Sequence, residues 1–167
     1  MEFDTIQGDI AAQCADALVN AAGTSLRMGS GVAGALRRGA NGPINEAAMT
    51  KGPVDLGEVA VTDAFDLDAD FVIHAAAMPH YGDGKATEKS IQEATENALA
   101  AADELGCTSI VIPVLGTGAA GVAFERGAEL VCATVADYSP ETLVEARVIA
   151  YDDDQYEMLR KVAERTR

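Results

Sequence analysis

The sequence contains few aromatic residues, few lysines and few cysteines. It has no Trp, four Tyr and four Phe among 167 residues, and only four of its 12 basic residues are Lys. The three cysteines, Cys14, Cys107 and Cys132, are odd in number and widely spaced. This predicts buried, reduced thiols rather than a disulfide framework. With two His and no C-x-x-C pair there is no zinc spacing, so neither a metal site nor a cofactor is predicted.

Long apolar runs and a basic N-terminal region followed by an apolar stretch are also missing. No run approaches the ~20 apolar residues of a membrane helix. The chain starts with alternating acidic and apolar residues, which is not the pattern of a secretory leader. We therefore expect a cytoplasmic protein that does not enter a membrane.

The charge is strongly unbalanced, with 27 acidic residues, 12 basic residues and a net charge of -15. Such a surface repels DNA, RNA and anionic membranes, so these are not expected partners. Scarce Lys, a slight excess of Asp over Glu, and abundant Ala and Gly are typical of salt-adapted proteins. At molar salt the Debye length is only ~3 Å, so acidic groups repel each other little. We expect a halophilic source.

Strand and helix patterns alternate along the whole chain, which predicts an α/β fold. We expect one domain over residues 1–167, a three-layer α-β-α sandwich with a mixed, largely parallel central sheet. The expected state is a monomer. Strands are predicted at 3–7, 15–22, 57–63, 70–76, 108–115 and 145–151, and helices at 31–38, 43–49, 87–105, 122–138 and from 152 to the end.

Two glycine-rich segments, residues 29–34 and 116–121, fit the pattern G-x-G-x-x-G. Each follows a predicted strand and opens a predicted helix, where backbone N–H groups and the helix N-terminus can hold a diphosphate. Two tight turns that need positive φ are the plainer alternative. A Rossmann-type NAD-binding oxidoreductase is a remote alternative. Such an enzyme carries one glycine loop directly after its first strand, whereas the first predicted strand of this chain is followed by Gln7-Gly8-Asp9-Ile10. The candidate diphosphate ligands are Gly29, Ser30, Gly31, Val32 and Ala33 in the first loop, and Gly116, Thr117, Gly118, Ala119, Ala120 and Gly121 in the second.

Taken together, several motifs resemble the macrodomain family, of the type that binds ADP-ribose and processes Appr-1''-p. They are Gln7-Gly8-Asp9-Ile10, Ala17-Leu18-Val19-Asn20-Ala21-Ala22, the segment from Gly29 to Arg38, Val72-Ile73-His74, Val111-Ile112-Pro113 and the second glycine loop. The resemblance covers nearly the whole chain. It implies an ADP-ribose cleft at the carboxyl ends of the strands. Many members also release ADP-ribose from proteins or deacetylate O-acetyl-ADP-ribose.

The resemblance also implies roles for individual residues. Asp9 would accept a hydrogen bond from the adenine amine with help from the Ile10 amide, and Tyr151 would stack on the adenine. Asn20 would contact the distal ribose, so that Asn20 and Gly31 are the catalytic candidates. From the residues alone, Asp9 fits a helix N-cap, Asn20 a loop anchor and Tyr151 half-buried packing.

This sequence departs from the family pattern at Ala33, where many hydrolytic members carry an Asp. Three hypotheses follow: an ADP-ribosyl-ester or O-acetyl-ADP-ribose hydrolase, a module that only binds ADP-ribose or ADP-ribosylated protein, and the Rossmann enzyme. Ala120 leaves the wall over the distal ribose open unless Phe124 reaches it. His74 lies in an apolar strand and is predicted to be structural, whereas the loop that carries His80 is solvated or borders the cleft.

Overall fold

The computed structural model describes residues 1–80 and 83–167. In this part of the chain a single six-stranded sheet has the order β1-β6-β5-β2-β4-β3, and only β3 runs antiparallel to its neighbour. The strands are β1 (Glu2–Gln7), β2 (Ala17–Gly23), β3 (Val59–Asp63), β4 (Phe71–Met78), β5 (Ser109–Pro113) and β6 (Glu145–Ala150). The helices are α1 (Gly31–Ala40), α2 (Ile44–Met49), α3 (Glu88–Glu104), α4 (Phe124–Asp137) and α5 (Asp153–Thr166). Two short 3₁₀ turns span Ile10–Ala12 and Gly118–Ala120.

The helices cover both faces of the sheet, as the predicted three-layer fold requires. Strand β2 shows why: Ala17 and Val19 pack with α3, α4 and α5, whereas Leu18 points to the face that α1 and α2 cover. Both faces of a central strand are buried, so its residues are nearly all apolar. No helix of the described chain is long and apolar enough to cross a membrane. The predicted mixed, largely parallel α/β fold is confirmed.

Helix α3 has the ends that the sequence predicts. Thr87 and Ser90 form a reciprocal capping box at its start. At its end Gly106 has φ +76°, and the Cys107 and Gly106 amides donate to the carbonyls of Ala102 and Asp103. This is a Schellman cap, so the prediction that α3 ends just before Gly106 is confirmed.

Helix α4 begins at Phe124 rather than near Val122. The second glycine loop does not open this helix directly, since Gly118–Ala120 form a separate 3₁₀ turn. That turn ends at Gly121, whose φ of +96° is incompatible with continuing a right-handed helix. The predicted start of α4 was therefore wrong.

The carboxylate of Asp103 organises the chain between α4 and β6. It accepts hydrogen bonds from the Tyr138 hydroxyl at 2.6 Å and from the amides of Glu141, Thr142 and Leu143 at 2.9–3.1 Å. Burial raises the pKa of this carboxyl, but these donors outweigh burial and hold it at about 2. The fold thus contains an ionised carboxylate that fixes the entry to β6.

The burial of the three cysteines agrees only in part with the prediction. Cys107 and Cys132 are buried, as predicted, and burial raises the pKa of Cys132 to about 12. Cys14 is exposed, because it lies in the loop between the first 3₁₀ turn and β2 and not in the core. The prediction of a buried thiol was wrong for Cys14.

Candidate functional site

A cleft of about 920 Å³ lies at the carboxyl ends of the parallel strands. Its walls come from the segments that follow β1, β2, β4, β5 and β6, whereas antiparallel β3 contributes nothing to it. In open α/β sheets this edge carries the ligand site, because loops from several strands converge there. The volume lies within the range of small-molecule sites.

Backbone atoms of the first glycine loop form one wall of the cleft, and no side chain covers them at Gly29 or Gly31. Gly29 and Gly31 have no atom within 4 Å of the position that a Cβ would occupy. Ser30 is the N-cap of α1, but its side chain makes no capping hydrogen bond. The first amides of a helix have no intrahelical acceptor, so those of α1 remain available to an anion. Gly31, with φ +63°, holds a conformation that side chains rarely adopt.

Neighbouring residues fix the conformation of this loop. The Asn45 side chain accepts the Met28 amide at 2.8 Å, and the Arg37 guanidinium donates to the Met28 carbonyl at 3.1 Å. Gly34 must lack a side chain, because its Cβ would stand 3.0 Å from the Gly29 carbonyl oxygen. The loop is therefore held in shape without a ligand.

The glycines of the second loop serve different purposes. A Cβ on Gly116 would meet the Ile91 side chain at 2.4 Å, so this glycine permits close packing. Gly118 has φ +66° and open space around the Cβ position, like Gly31. Gly121 packs against Lys85 and does not line the cleft. Of the residues predicted in this loop, Gly116, Thr117, Gly118, Ala119 and Ala120 line the cleft and Gly121 does not, so its ligand contact stays a prediction.

Asp9 and Ile10 form the end of the cleft after β1. One Asp9 oxygen accepts the Ala11 amide at 2.9 Å, which is the capping role that the residue type suggests. The second carboxylate oxygen and the Ile10 amide have no hydrogen-bond partner in the described chain. Asp9 can therefore cap the 3₁₀ turn and accept a ligand donor at the same time.

Tyr151 follows β6 directly and stands on the rim of the cleft with 74% of its surface exposed. The alternative of half-buried packing is therefore wrong. An exposed aromatic ring beside a cleft offers a flat apolar face to a planar ligand group. Gln155, in the first turn of α5, lines the cleft beside it.

Asn20 is not among the residues that line the cleft, and its contact with the distal ribose stays a prediction. Its side chain is 1% exposed and donates from Nδ2 to Nδ1 of His74 at 3.0 Å. Nε2 of His74 lies 2.9 Å from the Thr62 hydroxyl, and burial lowers the pKa of His74 to about 4. Asn20 shares the α1–α2 face of β2 with Leu18, because side chains alternate along a strand. It thus belongs to a buried polar network, as does the predicted structural His74.

The charge of the cleft is opposite in sign to that of the rest of the protein. Three arginines, Arg27, Arg37 and Arg38, line it together with a single carboxylate, Asp9. Of the 27 acidic residues, 26 lie elsewhere. Arg126, which the sequence places beside the second loop, is outside the cleft and pairs with Glu88 at 2.7 Å. No metal-binding group of three or more His, Cys, Asp or Glu occurs among residues 1–80 and 83–167.

Few side chains that line the cleft could act on a substrate. Ala33 offers only a methyl group. Phe124 and Ala120 both line the cleft, and His80 contributes an imidazole. Sequence reasoning assigned no ligand role to Ala35, Arg37 and Arg38, although they lie in the motif from Gly29 to Arg38. It also missed further lining residues that carry no motif signal: Gly23, Ser25, Met28, Ala77, Met78, Val114, Ile149 and Gln155.

Comparisons with known proteins agree with this architecture. A protein of Saccharolobus solfataricus is 38% identical over 97% of this chain and 92% of its own length. A macro domain-containing protein of Caldanaerobacter subterraneus is 33% identical, covering 95% of this chain and 94% of that protein. Among solved structures, the Oceanobacillus iheyensis macrodomain with ADP is 25% identical with a TM-score of 0.84, covering 96% of this chain and 89% of that one.

The Trypanosoma brucei macrodomain in complex with ADP-ribose shares the fold, with a TM-score of 0.83 at 23% identity over 95% of this chain and 68% of that one. The family model for the Macro domain matches residues 19–131, which includes both glycine loops and most of the sheet. The Rossmann alternative is thereby excluded as the family. The chain belongs to the Macro domain family.

Proposed function

We propose that this protein binds ADP-ribose in the cleft. The observation that carries the proposal is the pair of bare glycine backbones at Gly31 and Gly118, which line one cleft with Asp9 and Tyr151 at its end. Membership of the Macro domain family and the similarity to a macrodomain with ADP support it.

Each part of ADP-ribose has a matching group in the cleft. The free Asp9 oxygen accepts the adenine amine, and the exposed Tyr151 ring stacks on the base. The diphosphate lies between the two glycine loops, where backbone amides donate to its oxygens. The distal ribose then reaches the end lined by Phe124 and His80.

Calorimetric titration with ADP-ribose tests this arrangement most directly. Asp9→Ser keeps an oxygen for the Ala11 amide but removes the oxygen offered to adenine, so affinity should fall about tenfold or more. Asp152→Ser is the matched control, since Asp152 likewise caps a helix, through the Gln155 amide at 2.8 Å, but does not line the cleft. An inosine analogue lacks the amine and should bind wild type weakly and Asp9→Ser no worse. Absence of binding to wild-type protein would refute the proposal.

We further propose that the bound ligand is a substrate: a mono-ADP-ribosyl ester on a protein, O-acetyl-ADP-ribose or Appr-1''-p. Asn20 is 1% exposed and does not line the cleft, and the methyl group of Ala33 cannot accept a proton from water. His80 supplies the one imidazole among the described residues that line the cleft, and imidazole is a common general base. For the ester substrates it would take a proton from water as the water attacks the acyl carbon, and the Gly31 amide would stabilise the oxyanion that forms. The bond between the acyl carbon and the ribose oxygen would then break, with the proton passing from His80 to that oxygen.

Release of acetate from O-acetyl-ADP-ribose separates hydrolysis from binding alone. His80→Gln should lower kcat at least tenfold. A wild-type protein that binds ADP-ribose tightly but releases no acetate would be a binding module for ADP-ribosylated protein.

The acidic surface supports a proposed location in a salt-rich cytoplasm. Repulsion among 26 acidic residues outside the cleft should destabilise the fold in dilute buffer and weaken as salt screens it. The melting temperature should therefore rise with KCl up to molar concentrations, and a flat response would contradict salt adaptation.

A further inference from the structure

The arginines of the cleft differ from most other cations of the protein, because they have no ion-pair partner among residues 1–80 and 83–167. Six of the nine cations outside the cleft form salt bridges: Lys89, Arg126, Arg147, Arg160, Arg165 and Arg167. Arg27, Arg37 and Arg38 form none with the described residues, although the chain has more than twice as many acidic as basic groups.

The side chains of Arg37 and Arg38 reach the first glycine loop, and Arg27 precedes that loop and lines the same cleft. Helical side chains lean toward the N-terminus of their helix, so arginines in the last turn of α1 reach back along it. Arg37 ends on the Met28 carbonyl, and a terminal nitrogen of Arg38 lies 3.2 Å from the position that a Gly34 Cβ would occupy. Arg27 is the residue immediately before Met28.

This arrangement matters because the protein as a whole repels anions. A nucleotide with a diphosphate approaches a molecule of charge -15, yet the cleft itself carries three positive charges and one negative charge. Clefts lined by one sign of charge focus the electrostatic field and raise the association rate of ligands of opposite charge.

We propose that Arg27, Arg37 and Arg38 are specificity-determining residues that attract polyanionic nucleotides into the cleft and make it select ligands by negative charge. This rests on the proposed function, because it concerns how the same ligand reaches its site. The backbone amides bind the diphosphate through short hydrogen bonds. The arginines attract the ligand at longer range, before it enters the cleft. Arg37 also holds the first glycine loop in shape through the Met28 carbonyl, so its substitution would alter the loop as well as the charge. The experiment therefore substitutes Arg27 and Arg38.

The experiment compares two variants of equal net charge. Arg27→Gln/Arg38→Gln removes two cations from the cleft, and Lys51→Gln/Lys161→Gln removes two exposed, unpaired cations of the described chain that lie outside it. Association with ADP-ribose, ADP and AMP is followed by stopped-flow tyrosine fluorescence, which is readable because the chain has no Trp.

At low salt the arginine variant should associate with ADP-ribose and ADP about tenfold more slowly than wild type, and with AMP less so. The difference should vanish in 1 M KCl, where the Debye length is about 3 Å. The lysine variant should stay within about twofold of wild type. Equal slowing of both variants, or slowing of the arginine variant that persists in 1 M KCl, would overturn the inference. If wild type bound no ADP-ribose at any salt concentration, the proposed function itself would fail instead.

Discussion

A methyl group added at Gly118 should abolish tight ligand binding while leaving the fold nearly intact. The residue has φ +66° and nothing within 4 Å of its Cβ position. Alanine at such a φ costs about 1 kcal/mol, which for a domain of this size is roughly 2–4 °C in melting temperature. The methyl also stands where the diphosphate approaches the backbone. Losing one charge-assisted amide–phosphate hydrogen bond costs about 1.5–3 kcal/mol, or roughly 10- to 100-fold in affinity.

Gly106 provides a matched control for this experiment. It has φ +76° and open space at its Cβ position, but it caps α3 and does not line the cleft. Gly106→Ala therefore carries the same backbone strain with no effect on a ligand. Thermal melts with and without ADP-ribose, and calorimetric titrations, should show similar loss of stability in both variants but weakened binding only in Gly118→Ala. Equal affinities of the two variants would refute the placement of the diphosphate at this loop.

Three further predictions concern stability. Gly116→Ala should lower the free energy of unfolding by about 3 kcal/mol, because its Cβ would overlap the end of the Ile91 side chain, and urea titration followed by circular dichroism checks this. Asp103→Asn should lower the free energy of unfolding by about 3 kcal/mol in urea titrations, since Tyr138 and the amides of the turn lose an ionised acceptor, with ligand affinity unchanged. Burial holds the pKa of His74 near 4, against an ordinary value of 6.5, so the neutral form is favoured in the folded state. Stability should therefore be complete above pH 6.5 and fall by about 3 kcal/mol on acidification to pH 4. A His74→Gln variant should lose this component of the pH dependence, and an unchanged slope would contradict it.

The glycine loops show which parts of the site could be predicted from the sequence. Their spacing and their position after strands are local features, and most of their residues do line the cleft. The same spacing could not separate Gly118, which faces the cleft, from Gly116 and Gly121, which accommodate Ile91 and Lys85. Those neighbours lie 25 and 36 residues away along the chain, so only the packing of α3 and its preceding loop reveals them.

Asn20 illustrates a different limit. The sequence places it at the end of a buried strand, whereas Asn20 is the middle residue of β2. Its partner His74 lies 54 residues away, on the adjacent strand β4, so only the pairing of the two strands reveals the contact.

The sequence by itself determined the α/β fold, because alternating strand and helix patterns and glycine turns are local properties of the chain. It also determined the net charge of -15 and the two loops of bare backbone. The tertiary structure alone decided where the charges lie. Arg37 and Arg38 are ordinary residues of a helix end until their side chains reach back to the first loop and join Arg27. Since an electrostatic field depends on distances in space, no count of charges along the chain reveals a positive cleft in an acidic protein.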